Sequence, residues 1–139
     1  PASMQHLEDE LPVDVPQEAK LTFKAVCLQN SILDLSSRKI STIAPYLIEK
    51  DWKKTSYAEC LSPKTYAKML PPSFLVTSIT DAHKRDTNQL AWQLKLKGTR
   101  YSVYSANNLF AKESFAARHP ETRYSQTANT AMLAYFENK

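Results

Sequence analysis

At 139 residues, with 42% hydrophobic and 23% charged residues, the chain has the size and composition of one globular domain that needs no metal or disulfide staple to fold. Its single glycine, Gly98, excludes Gly-rich phosphate cradles, dinucleotide fingerprints and a Gly-x-Ser-x-Gly nucleophile elbow. The net charge of +4 is uneven, because Glu8, Asp9, Glu10, Asp14 and Glu18 all precede the first Lys or Arg, Lys20. The basic body that follows suits nucleic acid, anionic lipid, an acidic protein or plain solvation. Its lysines are scattered rather than gathered on one stripe, which favours solvation, and no nucleic-acid partner is expected.

Residues 1–15 are acidic and proline-punctuated and read as a linker or arm ahead of a single domain over 16–139. The start Pro1-Ala2-Ser3-Met4 resembles a cloning scar, which leaves an upstream signal peptide or membrane anchor open. Pro16 suits a first helical turn, and Phe23, Val26, Cys27, Asn30 and Leu33 follow at helical spacing, so a helix is predicted over 16–35. Ile40 and Ile43 continue the period to Ala44, where Pro45 interrupts it. A restart near Glu49 carries Trp52, Tyr57, Ala58 and Leu61, and Ser62-Pro63 opens a third helix that Pro71-Pro72 closes.

From Ser73 the pattern becomes strand-like, with Phe74 to Thr80 as a strand and 81–88 as a polar loop. Leu90, Trp92, Leu94 and Leu96 alternate with Ala91, Gln93, Lys95 and Lys97, which predicts a second strand with a buried face around Trp92. Lys97-Gly98-Thr99 is a turn or bulge, and Arg100 to Ser105 resumes the alternation. A short helix is expected near Phe110 to Arg118, and Ala128 to Phe136 is helix or closing strand, with strand preferred because a small sheet needs another member. The expected fold is α+β: N-terminal helices packed on one face of a curved antiparallel sheet.

Nothing in the sequence assembles into catalysis or metal binding. His6, His83 and His119 pair with no other ligand at helix-face spacing, and Glu49 and Asp51 read as solvated carboxylates. No cofactor is expected, and the chain reads as a non-enzyme. Cys27 and Cys60 are two buried thiols or one disulfide; on an apolar face Cys27 is a poor nucleophile, since burial raises a thiol's pKa. Arg100, Tyr101 and Tyr104 are candidate interface residues, with Arg123 and Tyr124 nearby in type, and His83-Lys84-Arg85 is a candidate docking site for an acidic partner. A cavity behind Trp92 would instead suit a small-ligand-binding sensor or secreted effector module.

Tyr46-Leu47-Ile48-Glu49-Lys50-Asp51-Trp52 resembles the tyrosine-and-tryptophan segment after the first helix of the DotI/IcmL family, and Ala91-Trp92 its later strand. Asp34 to Arg38 is similar to that family's aspartate and arginine. The resemblance spans about 22–97. It implies a nuclear-transport-factor-2-like fold (a cystatin-like cone) and a periplasmic or secreted domain, anchored in the inner membrane of type IV secretion or conjugation systems through an upstream helix. It further implies non-enzymatic assembly with other protein components of an envelope complex, homo-oligomer formation, and oxidation of Cys27 with Cys60.

Overall fold

Parallel strand pairing organises the molecule. The computed structural model describes residues 23–31, 33, 62–112 and 114–138. In chain order it contains β1 (Val26–Gln29), a 3-10 turn (Pro63–Tyr66), β2 (Ser73–Ser78), α1 (Lys84–Leu96), β3 (Tyr101–Ala106), α2 (Phe115–Arg118) and α3 (Arg123–Glu137). The strands lie in the order β1-β2-β3. Both pairs are parallel, with Val26 opposite Ser73 and Ser73 opposite Tyr101.

Every residue of β2 is buried, as a central strand covered on both faces requires. Phe74 and Val76 point to one layer, where Ala106, Ala111, Phe115, Ala116 and Ala128 pack with Tyr135 and Met132 of α3. Leu75 points to the other, where Leu90, Ala91 and Leu94 of α1 pack with Leu33 and Ala67. The sheet is therefore sandwiched between helices, in an α/β arrangement.

The expected antiparallel sheet and nuclear-transport-factor-2-like cone are corrected by this topology. The decisive segment is Leu90 to Leu96, read as a strand and found within α1. Its sequence carries two periods at once. The alternating period groups Trp92 and Leu96 with Leu90 and Leu94, whereas the helical period groups Thr87, Leu90, Ala91 and Leu94. The second set is the buried one; Trp92 is 62% and Leu96 61% exposed, while Leu90 and Leu94 are at 0%. Tertiary context decides between the two periods, because parallel neighbours β2 and β3 need a long crossover, which a helix supplies. Only 81–83 of the predicted 81–88 loop stays non-helical.

Gly98 ends α1 rather than bulging a strand. At φ 70 it occupies the left-handed region. The Thr99 N–H donates to the Leu94 carbonyl at 3.0 Å and the Gly98 N–H to the Lys95 carbonyl at 3.1 Å, the paired bonds of a Schellman cap.

Two further expectations are corrected. Part of the predicted 16–35 helix is β1, which pairs with β2 and ends at Gln29, just before Asn30 at φ 43. The preferred closing strand over 128–136 is α3, since Ser125, Ala128, Ala131, Met132 and Tyr135 form a helical stripe on the sheet. Strands form at Ser73–Ser78 and Tyr101–Ala106, where Phe74 to Thr80 and Arg100 to Ser105 are expected, and the helix expected near Phe110 to Arg118 is confined to Phe115–Arg118. The helices expected across 36–61, with Tyr46 and Trp52, lie outside the described residues, as do His6 and Cys60.

Candidate active site

The loops after the carboxyl ends of β2 and β3 meet. The Ile79 N–H donates to the Ala106 carbonyl at 3.1 Å, and the Thr80 hydroxyl donates to the Ala111 carbonyl at 3.0 Å. In open parallel sheets this end of the strands is where ligands bind.

Asp81 sits there, 7% exposed, three residues beyond β2. Its Oδ2 accepts the Thr77 hydroxyl at 2.6 Å and its Oδ1 accepts the His83 backbone N–H at 2.8 Å. Two donors fix the carboxylate plane, and each oxygen keeps a lone pair free to receive a further N–H. A buried, oriented carboxylate at a strand end has the properties of the acid that aligns a base imidazole in acyl-transfer enzymes. Among the described residues no imidazole nitrogen bonds Asp81. The His83 ring turns instead toward Asp86, with Nδ1 3.6 Å from Oδ2, and neither atom has another partner. The segment after β3, Asn107-Asn108-Leu109-Phe110-Ala111-Lys112, contains no histidine. No group of metal-binding side chains forms among the described residues.

Two concavities flank this end of the sheet. One, of about 510 Å³, runs along the outer face of α1 past Asp81, Lys84, Arg85, Asn88, Gln89 and Trp92. The other, of about 440 Å³, is lined by Thr80, Phe110, Lys112, Phe115, Arg118 and His119.

The sequence-predicted interface residues are dispersed rather than gathered. The Arg100 guanidinium stacks 4.8 Å above the Tyr135 ring and donates to the Tyr135 carbonyl, while the Tyr135 hydroxyl donates to the Arg100 carbonyl at 3.2 Å. Burial raises the Tyr135 phenol above its ordinary range, against a smaller lowering by Arg100. Tyr101 packs beside the Leu90–Leu94 core, and the Tyr104 hydroxyl donates to the Tyr124 carbonyl at 3.3 Å. These contacts fasten β3 to its own helices. His83, Lys84 and Arg85 open α1 beside Asp81. Cys27 is a half-buried free thiol in β1, and burial pushes its pKa up.

In the sequence Asp81 reads as the first member of a polar loop; its one signal is position, an acid between the strand-like stretch Phe74 to Thr80 and a helix-forming stretch.

Comparison with solved structures gives the fold a counterpart. Esterase B from Lactobacillus rhamnosis, inhibited by a tributyrin phosphonate, superposes with a TM-score of 0.76 at 20% sequence identity, covering 99% of this chain and 45% of that one. The same organism's esterase B without the inhibitor gives 0.69 at 20% identity, covering 86% and 41%. A propionate-bound thermophilic esterase from Thermogutta terrifontis gives 0.61 at 20% identity, covering 90% and 47%. The chain shares the fold of the part of these esterases that it covers. It spans less than half of their length. No family model matches the sequence, and no curated protein matches it.

These neighbours overturn the expectation of a non-enzymatic assembly domain of a secretion machine, together with the ligand-sensor alternative. No helix among the described residues is long and apolar enough to cross a membrane.

Proposed function

We propose that these residues are the acid-bearing half of a carboxyl-ester hydrolase, with Asp81 as the carboxylate that orients the base. The observation that carries this reading is the burial of Asp81 at the carboxyl end of the central parallel strand, held by Thr77 and by the His83 N–H. In α/β-hydrolases the triad runs Ser, then acid, then histidine along the chain, and the serine stands on a Gly-flanked elbow. The single glycine of this chain caps α1, so no such elbow is built from its 139 residues. By the same order the base follows Asp81, where His83 faces Asp86, His119 faces Glu121 and 107–112 carries no histidine, so on this reading both the nucleophile and the base imidazole come from outside the described residues. The role of the described half is to hold an ionised carboxylate, shielded from water, where an imidazolium forms during acyl transfer.

Hydrolysis of p-nitrophenyl acetate and butyrate by the whole protein that contains these residues tests the reading. Saturable turnover that a phosphonate ester abolishes is expected. Absence of turnover on every short-chain ester would count against it.

A further inference from the structure

The cleft lined by Thr80, Phe110, Lys112, Phe115, Arg118 and His119 has a consistent chemistry. Its volume of about 440 Å³ suits a small organic ligand. Lys112 and Arg118 are exposed and, among the described residues, have no ion-pair partner at the cleft wall. The His119 ring faces the exposed Glu121, with Nδ1 3.6 Å from its Oε1. No acidic residue lines the cleft among the described residues. Phe115 is fully buried, while Phe110 is 77% exposed and presents an aromatic face to solvent at the rim. The Thr80 hydroxyl donates to the Ala111 carbonyl and lies 3.3 Å from the Ser78 hydroxyl, which fixes the cleft wall.

We propose that this cleft binds a small amphiphilic carboxylate: an anionic head received by Lys112 and Arg118, and a short apolar tail laid on the exposed ring of Phe110. The inference rests in part on the hydrolase reading, since Thr80 on the cleft wall directly precedes Asp81 in the chain, and it narrows that reading to esters bearing a carboxylate or to retention of the acid product. Guanidinium and ammonium groups recognise a carboxylate through charge-assisted hydrogen bonds, while the exposed aromatic ring gains from covering apolar surface.

Binding without turnover separates the two ideas. The purified protein is titrated with hexanoate and with its neutral isostere hexanamide by NMR, at low and at high salt. Hexanoate is expected to bind roughly tenfold more tightly, with the preference shrinking as salt rises, and to shift the resonances of Thr80 and Phe110. Lys112→Gln with Arg118→Gln, both at exposed positions, should remove the preference while leaving the amide spectrum otherwise folded. Equal affinity for the two probes, a preference retained in the double variant, shifts confined to other surfaces, or no binding of either probe would each overturn the proposal. A protein that prefers hexanoate yet hydrolyses no ester would retain this inference and lose the hydrolase reading.

Discussion

The Thr77 hydroxyl donates to the Asp81 carboxylate at 2.6 Å, joining two buried residues four positions apart across the end of the central strand. This bond converts a strand end into a fixed acid. Removing the hydroxyl in Thr77→Val, at nearly constant volume, leaves Asp81 Oδ2 short of its donor and is expected to cost about 1–3 kcal/mol of stability. Thr77→Ser keeps the donor and should recover most of the loss in a urea titration. If Thr77→Val is as stable as Thr77→Ser, the bond contributes nothing.

The two periods in 87–96 predict opposite outcomes for neighbouring residues. Because Leu94 is fully buried against β2, Leu94→Ala should cost about 2–5 kcal/mol. Trp92 lies on the outer face of α1, so Trp92→Ala should change stability by less than about 1 kcal/mol. Chemical denaturation of the two variants decides the matter, and a large loss for Trp92→Ala would restore the strand.

Gly98 tests the helix end. A Cβ there meets nothing within 4 Å, so space does not forbid alanine. Its φ of 70 does, and Gly98→Ala should lose about 1–2 kcal/mol through backbone strain alone. An unchanged melting temperature would remove the Schellman cap from the account.

Cys27 supplies a pH signature. Burial raises its folded-state pKa above the unfolded value, so the neutral thiol is favoured by folding. The sign follows: its contribution to stability is complete below the unfolded thiol pKa and is lost as pH rises through the folded one. Alkylation by iodoacetamide near pH 8 should therefore be slower in the folded protein than in urea. Equal rates would place Cys27 in open solvent.

Local pattern carried the reading as far as local pattern reaches. Phe74 to Val76 and Tyr101 to Val103 are legible as strands because β-branched and aromatic residues recur there. Ser62-Pro63 shows as a helical start, and the structure gives it one 3-10 turn at Pro63–Tyr66. Strand direction is not written in such segments. It depends on whether 84–96 crosses over as a helix, and there Leu90 and Leu94 satisfy both periods. Trp92 completes the alternating set with Leu90, Leu94 and Leu96, yet it is 62% exposed on the outer face of the helix. Asp81 was hidden for the same reason, since an acid after a strand is a loop residue until the parallel sheet makes that loop the site.

The substitution Asp81→Asn tests the central claim most directly, measured as kcat and KM for p-nitrophenyl butyrate in the whole protein, with circular dichroism to confirm the fold. An acid that orients the base predicts a kcat lower by roughly 10⁴-fold at nearly unchanged KM, because the amide cannot hold the imidazole in its working tautomer or stabilise the imidazolium. A folded Asp81→Asn protein that turns over ester at the wild-type rate would contradict it.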